Sequence, residues 1–229
     1  MSKRLLLLLT MAVLCLGTFA SADVFTIIPD RATQNPSDII DWTQLGPDFT
    51  VVGTPALVFT ANGYPALVGN VTGAPFARVD AGNSWQESKF DFGESLVWTG
   101  GGGPFLMQLG QPVNSVGFGI EPDQFGLFTA IVSLYDPSAN LLGTFSFNGD
   151  SPVCDPNCYG GDEMFVGIAD HSGNNIGFIL IDTTTAAGIS SDFAIDDPSF
   201  TYVPEPGSLV LLGSGLIGVA GLVRRKMGR

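Results

Sequence analysis

The segments that decide the fold are residues 129–135, TAIVSLY, and residues 141–147, LLGTFSF, which are joined by DPSAN at 136–140. In the first segment, apolar residues alternate so that Ala130, Val132 and Leu134 share one face, which is typical of a half-buried strand. The DPSAN segment has the composition of a turn. The second segment runs back with Phe145 and Phe147 on one side. Together the two segments predict an antiparallel β-hairpin.

Outward from this hairpin, short β-like runs recur between turn residues, and helical periodicity is nearly absent. Further strands are predicted at 113–120, 163–169 and 175–182, and Pro-Ala-Leu-Val at 55–58 recurs at 65–68 across an Asn-Gly turn. We count about ten to twelve strands at a spacing of about 8–12 residues, which indicates a sandwich or jelly roll. The fold class predicted is all-β, a single antiparallel β-sandwich with a jelly-roll-like arrangement, and the 17 phenylalanines would fill its interior.

The N-terminus has the pattern of a secretory signal peptide. Lys3 and Arg4 precede an apolar run at 5–19, and the small residues Ala-Ser-Ala follow at 20–22. A basic start, a short apolar stretch and a small-residue cleavage site together define such a peptide. We predict a signal peptide at 1–22, cleavage after Ala22 and export by Sec-type machinery.

The C-terminus has the pattern of a membrane anchor. Residues 207–223 contain no charged side chain, and Arg224, Arg225 and Lys226 follow at once. A helix of this length spans about 25 Å, slightly less than the ~30 Å hydrocarbon core. Because basic residues stay on the cytoplasmic side, the pattern predicts one transmembrane helix with a cytoplasmic end at 224–229 and the middle of the chain outside the membrane.

Charge is distributed unevenly along the chain. The formal net charge is −13, from 22 acidic and nine basic residues, and six of the basic residues lie in the two ends. Residues 23–203 hold 21 acids against Arg31, Arg78 and Lys89, so their net charge is 3 − 21 = −18. Such a domain lacks the cations that neutralise phosphates, which excludes nucleic acid as a partner.

Between the predicted domain and the predicted anchor stand Val203, Pro204, Glu205 and Pro206. Two prolines around one residue hold the chain extended, a form that processing enzymes bind. With the apolar span and the basic end, this tail resembles the PEP-CTERM sorting tail of exported proteins of Gram-negative bacteria, a tail also catalogued as an ice-binding protein C-terminal domain. The resemblance implies recognition by an exosortase, removal of the anchor, and delivery to the cell surface or the exopolysaccharide matrix.

The region ahead of the tail resembles the jelly-roll-like ectodomains found before PEP-CTERM tails. The motifs that carry this resemblance are FDFG at 90–93, LVW at 96–98, VGF at 116–118, FVGI at 165–168 and FAIDD at 193–197. The chain is therefore divided into a signal peptide at 1–22, an exported domain at 23–203 and a sorting tail at 204–229.

Cysteine usage fits an oxidising compartment. Cys15 lies in the predicted signal peptide, which leaves Cys154 and Cys158 in the exported domain. Two cysteines in an exported protein favour a disulfide. A zinc site needs four ligands, and the chain has one histidine, His171, so zinc is disfavoured.

Acidic residues around these cysteines raise the question of calcium. Calcium takes six to eight oxygen ligands from flexible loops. The stretch that contains Asp150, Asp155, Asp162 and Glu163 has the required acids, and Asp196 with Asp197 is a further candidate. The alternative is a solvated acidic loop.

Motifs for catalysis are missing from the sequence. No Gly-x-Ser-x-Gly elbow, phosphate loop or metal-protease helix occurs, and His171 lies in a predicted loop. Carboxylate pairs that would suit a glycosidase arise by chance among so many acids. Trp42, Trp85, Trp98 and Tyr159 would either stack on sugars or pack in the core.

These observations predict a protein that is not an enzyme and has a structural or adhesive role in exopolysaccharide or biofilm. The alternatives are a calcium-dependent carbohydrate-binding module and a glycan-acting hydrolase. A strongly acidic domain should meet an acidic matrix only where divalent cations bridge the two.

Overall fold

The fold is all-β, as the sequence predicts. The computed structural model of the chain describes residues 25–85, 89–151, 163–186, 188–189 and 191–202. Within these residues lie sixteen strands, and ten of them have four or more residues. All pairs between these strands are antiparallel. The count exceeds the expected ten to twelve because six strands of two or three residues give no periodic signal.

The first sheet, sheet I, contains nine of the described strands. Seven follow one another in the order β1 (Phe25–Ile27), β12 (Met164–Asp170), β9 (Ser115–Pro122), β15 (Phe193–Ile195), β7 (Ser95–Trp98), β6 (Phe76–Asp80) and β3 (Thr50–Val52). The short β16 (Ser199–Thr201) pairs with β9 and with β2 (Asp38–Ile39). β9 is buried along its whole length because strands pair on both of its edges and other segments cover its outer side.

The second sheet, sheet II, contains the other seven described strands. Six follow the order β11 (Leu141–Ser151), β10 (Gly126–Tyr135), β13 (Ile176–Thr185), β8 (Phe105–Val113), β5 (Pro65–Asn70) and β4 (Ala56–Phe59). The last, β14 (Gly188–Ile189), pairs with β13. Both predicted hairpins are confirmed: β10 pairs with β11, and β4 pairs with β5.

The main core lies between the two sheets. Val116, Phe118 and Ile120 of sheet I and Val132 and Leu134 of sheet II are fully buried in one cluster. Phe145 and Phe147 are half-buried and pack against it. The residues that the sequence pattern placed on one face of each strand are thus the ones that point into the core, because alternating residues point to opposite sides of a strand.

The predicted start of the strand at 113–120 is wrong. Residues 113–120 were expected to form a single strand, but Val113 ends β8 and Ser115 begins β9. Asn114 turns the chain from sheet II to sheet I, where its backbone N–H donates to Thr201 O at 3.0 Å. A change of sheet leaves the local apolar pattern unbroken, so periodicity alone does not reveal it.

The outer face of sheet I is covered. A one-turn helix, α1 (Arg31–Gln34), begins at Asp30, whose carboxylate accepts from Thr33 N at 2.6 Å. The 3-10 helix Trp42–Leu45 lies elsewhere, because Trp42 and Leu45 pack against the main core and Gln44 Nε2 donates to Phe59 O of β4 at 2.9 Å. A second apolar cluster on the outer face of sheet I is formed by Ala77, Val79, Ala81, Trp85, Phe90, Leu96 and Ala194. Sheet I therefore has a packed layer on both faces.

Several predictions fall outside the described residues. These are the signal peptide at 1–22, the cysteine pair at 154 and 158, the sorting motif at 203–206, the transmembrane helix at 207–223 and the basic end at 224–229. The domain boundaries at 22 and 203 stay predictions as well. No helix within the described part of the chain has the length and apolarity needed to cross a bilayer.

Candidate functional site

The strongest concentration of charge in the described residues lies on the outer face of sheet I, around Arg31 and Asp196. Arg31 begins α1, and Asp196 follows β15. The Arg31 guanidinium forms a salt bridge with the Asp196 carboxylate, whose side chain is 2% exposed. The Asp196 carboxylate also accepts from Gly119 N at 2.6 Å, so it joins helix α1 to the centre of β9.

Asp197 and Trp42 extend this link to the 3-10 helix. The Asp197 carboxylate accepts from Trp42 N at 3.0 Å, and Trp42 Nε1 donates to Asp196 O at 2.7 Å. Arg31 Nη1 donates to Asp197 O at 2.8 Å. Asp196 and Asp197 therefore link α1 and the 3-10 helix to the segment between β15 and β16.

Two more carboxylates, Glu94 and Glu163, lie near this pair. Burial, together with the charges of Asp196 and Glu163, raises the pKa of Glu94 from 4.5 to about 7. Burial likewise raises the pKa of Asp197 to about 7, with the nearby Asp41 and Asp196 adding to the effect. We call Glu94, Glu163, Asp196 and Asp197, with their counter-ion Arg31, the carboxylate cluster.

Glu163 is the least satisfied member of the cluster. Its pKa is raised mainly by burial, and its Oε2 atom is buried without a hydrogen-bond partner in the described residues. A Cβ placed on Gly119 would come within 2.5 Å of Glu163 Cγ, so β9 needs a glycine at that position. An unpaired buried carboxylate oxygen favours the protonated form or a bound cation.

Chemically, the cluster is able to take up protons near neutral pH and to hold segments distant in sequence together. Arg31 is separated from its partners by about 165 positions, and its guanidinium lies 5.8 Å from the centre of the Phe165 ring. Most of the acceptor atoms of Asp196 and Asp197 face donors of the fold rather than an open cleft.

The predicted calcium ligands are only partly described. Asp150 of β11 pairs with the exposed Leu127 of β10, so both lie on the outer face of sheet II. Glu163 belongs to the carboxylate cluster on sheet I, so the structure does not bring these two together. Asp155 and Asp162 lie outside the described residues. In the described part of the chain, no group of three or more histidine, cysteine or acidic residues is placed to hold a metal ion.

The tryptophans are placed mainly as packing residues. Trp42 is fully buried, and Trp85 is 6% exposed. Trp98 is half-buried, 6.2 Å from the Trp85 ring centre, and its Nε1 donates to Asp192 Oδ1 at 2.7 Å. These contacts agree with the core-packing alternative, while Tyr159 lies outside the described residues.

His171 is exposed just after β12, in the loop where the sequence places it. Its Nε2 lies 2.8 Å from Thr26 Oγ1. The neighbouring Asp170 carboxylate accepts from Ser172 N at 2.7 Å and from Asn175 Nδ2 at 3.0 Å. The carboxylate thus orders its own loop.

A shallow groove of about 370 Å³ crosses one end of the outer face of sheet II. Its polar lining comes from Thr129, Asn148, Thr184 and Thr185, and its apolar lining includes Leu127, which is 73% exposed. None of the described residues that line the groove is charged. The groove therefore presents hydroxyl and amide groups in a domain that is otherwise strongly acidic.

Sequence reasoning named Asp196 and Asp197 as possible calcium ligands but missed their contacts with Arg31 and Glu94. These residues come together only through long-range strand pairing, which no local spacing encodes. One signal was available: Arg31 is one of just three basic residues between 23 and 203, so an internal structural partner was a reasonable expectation.

Comparison with known proteins identifies the tail. The family model of the PEP-CTERM protein-sorting motif matches residues 203–226, as the resemblance predicted. The chain thus carries a motif for exosortase-dependent sorting to the cell envelope. No curated protein sequence matches the chain.

Three solved structures show a distant likeness to the chain. A DUF4465 family protein from Bacteroides caccae matches with 9% identity and a TM-score of 0.37, over 81% of this chain and 96% of that one. The enzymatically active domain of tailspike protein 4 of bacteriophage CBA120 matches with 12% identity and a TM-score of 0.29, over 71% of this chain and 20% of that one.

The third likeness is to endo-1,4-β-D-xylanase 10B of Clostridium thermocellum, whose CBM22-1 and GH10 modules were solved with xylohexaose. It has 14% identity and a TM-score of 0.24, over 69% of this chain and 29% of that one. At such low TM-scores, these likenesses carry no inference about ligand or activity.

Proposed function

We propose that this chain is a non-catalytic structural or adhesive protein, which an exosortase processes at the PEP-CTERM motif and delivers to the cell surface or exopolysaccharide matrix. The observation that carries the proposal is the position of the motif. Strand β16 ends at Thr201, and the motif match begins at residue 203. A closed sandwich is thus joined directly to a sorting signal, with no second domain between them.

The arrangement of charged groups supports a role without catalysis. Asp196 and Asp197, the most buried carboxylates of the cluster, accept hydrogen bonds from Arg31, Gly119 and Trp42. Carboxylates that hold the fold in this way are not free to act as an acid and base pair on a substrate. Turnover of a host exopolysaccharide that is lost in Glu94→Gln or Glu163→Gln would refute this part of the proposal.

The sorting step is tested by following the chain in cells with and without their exosortase. With the enzyme, we expect a shortened form at the cell surface or in the matrix. Without it, we expect a full-length form in the membrane fraction. Pro204→Ala with Pro206→Ala should mimic loss of the enzyme, and Pro198→Ala outside the motif serves as the matched control. Identical forms in both strains would contradict sorting by an exosortase.

A calcium-dependent carbohydrate-binding module is the second candidate. It is favoured by Glu163, whose buried Oε2 atom lacks a partner among the described residues. Its other predicted ligands, Asp155 and Asp162, lie in the neighbouring segment. The test is a calcium titration of the full chain, followed by thermal unfolding and glycan binding. Calcium should raise the melting temperature of the wild type and not that of Glu163→Gln, and no shift in either would dispose of this candidate.

A further inference from the structure

Both ends of the described chain lie in one lateral row of sheet I. Thr26 pairs with Ala169, Ala169 with Ser115, and Ser115 with Thr201, across β1, β12, β9 and β16. Because neighbouring strands are about 4.8 Å apart, Thr26 and Thr201 are separated by about 14 Å. The segments predicted to enter the membrane, 1–22 and 207–223, therefore leave the sandwich from the same end, which we call the exit end.

The last described residue is fixed at the exit end. The Tyr202 hydroxyl donates to Asp38 Oδ2 at 3.1 Å, and its ring centre lies 5.5 Å from that of Tyr64. β16 itself pairs on both edges, with β2 and with β9. The fold thus holds the chain up to Tyr202, two positions before Pro204.

The tether between fold and predicted anchor is short. Residues 203–206 are four residues, and four extended residues reach at most about 14 Å. The exit end must then lie within that distance of the predicted membrane segment. An enzyme that acts on the motif in the membrane works directly beneath the folded domain.

The exit end has a surface that suits such a neighbour. Tyr64 is 40% exposed, and tyrosine favours the boundary between water and bilayer because one end of its side chain is apolar and the other polar. The carboxylates around it are occupied by local donors: Asp38 accepts from Asn62 N at 3.0 Å, and Asp136 accepts from Asn140 Nδ2 at 2.8 Å. These donors are neutral amides, so they fix the positions of the two carboxylates without cancelling their charge.

The opposite, distal end of the sandwich is marked by the end of β11 and the start of β12. Gly126 pairs with Ser151 and Met164 pairs with Ile120, so the segment 152–162 begins and ends away from the exit end. The groove lined by Thr129 and Asn148 lies at the same distal end. The groove therefore stays clear of a partner at the exit end.

From these observations we propose that the exit end is the surface that meets the membrane-embedded processing enzyme, and that the distal end faces outward. The inference rests on the proposed sorting function and adds a direction of approach. It predicts that bulk added at the exit end blocks processing, whereas equal bulk added at the distal end does not.

The test inserts one compact tag into the full-length precursor at either end, in cells that contain the exosortase. The exit-end variant carries the tag between Ser138 and Ala139, and the distal control carries it between Asp123 and Gln124. When a short tether cannot bring two sites together, their effective concentration falls steeply, so we expect processing of the exit-end variant to fall about tenfold or more. The distal variant should be processed at the wild-type rate.

A third variant separates obstruction from misfolding. It combines the exit-end tag with about 12 Gly/Ser residues after Tyr202, which span roughly 19 Å on average. This longer tether should restore processing. If the wild type is processed but the longer tether does not restore processing of the exit-end variant, the inference is overturned. Equal processing of the two tagged chains would overturn it as well. Absence of processing in the wild type would instead overturn the proposed function, and the inference with it.

Discussion

The outer faces of the two sheets differ in a way that shows where this acidic domain holds its charge. The outer face of sheet I is covered by α1 and a second apolar cluster, and it buries Asp196 beside Arg31. The outer face of sheet II is open and carries hydroxyl and apolar side chains, such as Ser133, Thr144 and Leu127. The carboxylates of the cluster thus lie where they hold segments together, whereas the open face carries hydroxyl and apolar side chains together with Asp150.

The largest expected effect comes from breaking the ion pair between Arg31 and the buried Asp196. Arg31→Met leaves the Asp196 carboxylate buried without its counter-ion. Because the Arg31 side chain is 35% exposed, we expect a loss of about 2–3 kcal/mol, at the lower end of the cost of breaking a fully buried pair. Chemical denaturation should show this loss of unfolding free energy. Asp30→Ser, which keeps an oxygen to cap the same helix, is the matched control and should cost little. A loss well below 1 kcal/mol in Arg31→Met would mean that the cluster is not structural.

The next effect tests the close approach of β9 to the cluster. A Cβ on Gly119 would lie 2.5 Å from Glu163 Cγ and 2.9 Å from Asp196 Oδ2. Forcing such contacts in a packed site costs about 1–3 kcal/mol, so Gly119→Ala should destabilise the domain by that amount. Gly53→Ala is the control, because no atom lies within 4 Å of its added Cβ. Equal unfolding free energies for the two variants would show that Glu163 and Asp196 move aside without a measurable cost.

A smaller effect concerns pH. In the folded protein the pKa of Glu94 is raised from 4.5 to about 7. The folded state therefore binds this proton more tightly than the unfolded state does, and the associated stability is lost as pH rises from about 4.5 to 7. Glu94→Gln should raise the melting temperature at pH 8 by about 2–4 °C, after allowance for solvent screening.

The same substitution should leave the melting temperature at pH 4 nearly unchanged, because the Glu94 side chain is then neutral in both proteins. Thermal unfolding of wild type and variant across this pH range measures the difference. Parallel curves for the two proteins would contradict the raised pKa of Glu94.

The smallest effect is expected on the open face. Leu127 is 73% exposed, so Leu127→Ser should change the unfolding free energy by no more than about 0.5 kcal/mol. The same denaturation experiment measures it. A loss as large as that of Gly119→Ala would remove the distinction between the two faces.

Much of the fold was predictable because it is encoded locally. Alternation in 129–135 and 141–147 predicted the β10–β11 hairpin and its buried face, and the repeated Pro-Ala-Leu-Val predicted the β4–β5 hairpin. The change of sheet at Asn114 was missed, because apolar residues continue through it. The very short strand β2 was missed for a related reason: its place is set by β16, far along the chain.

The candidate site was less predictable than the fold. The sorting motif is a contiguous signal, and the match at 203–226 confirms it. The carboxylate cluster is assembled from α1, the residues just before β7 and β12, and the turn after β15, so no spacing in the sequence marks it. Acid content suggested calcium around Asp150 and Glu163, but alternation in two different sheets directs these side chains to separate faces.

The most direct test of the central claim, a structural or adhesive role in the matrix, is the fraction of the processed protein retained with exopolysaccharide. Cells that produce the polymer should retain the protein, a chelator of divalent cations should release it, and cells that lack the polymer should shed it into the medium. Equal shedding with and without the polymer, and indifference to the chelator, would contradict that role.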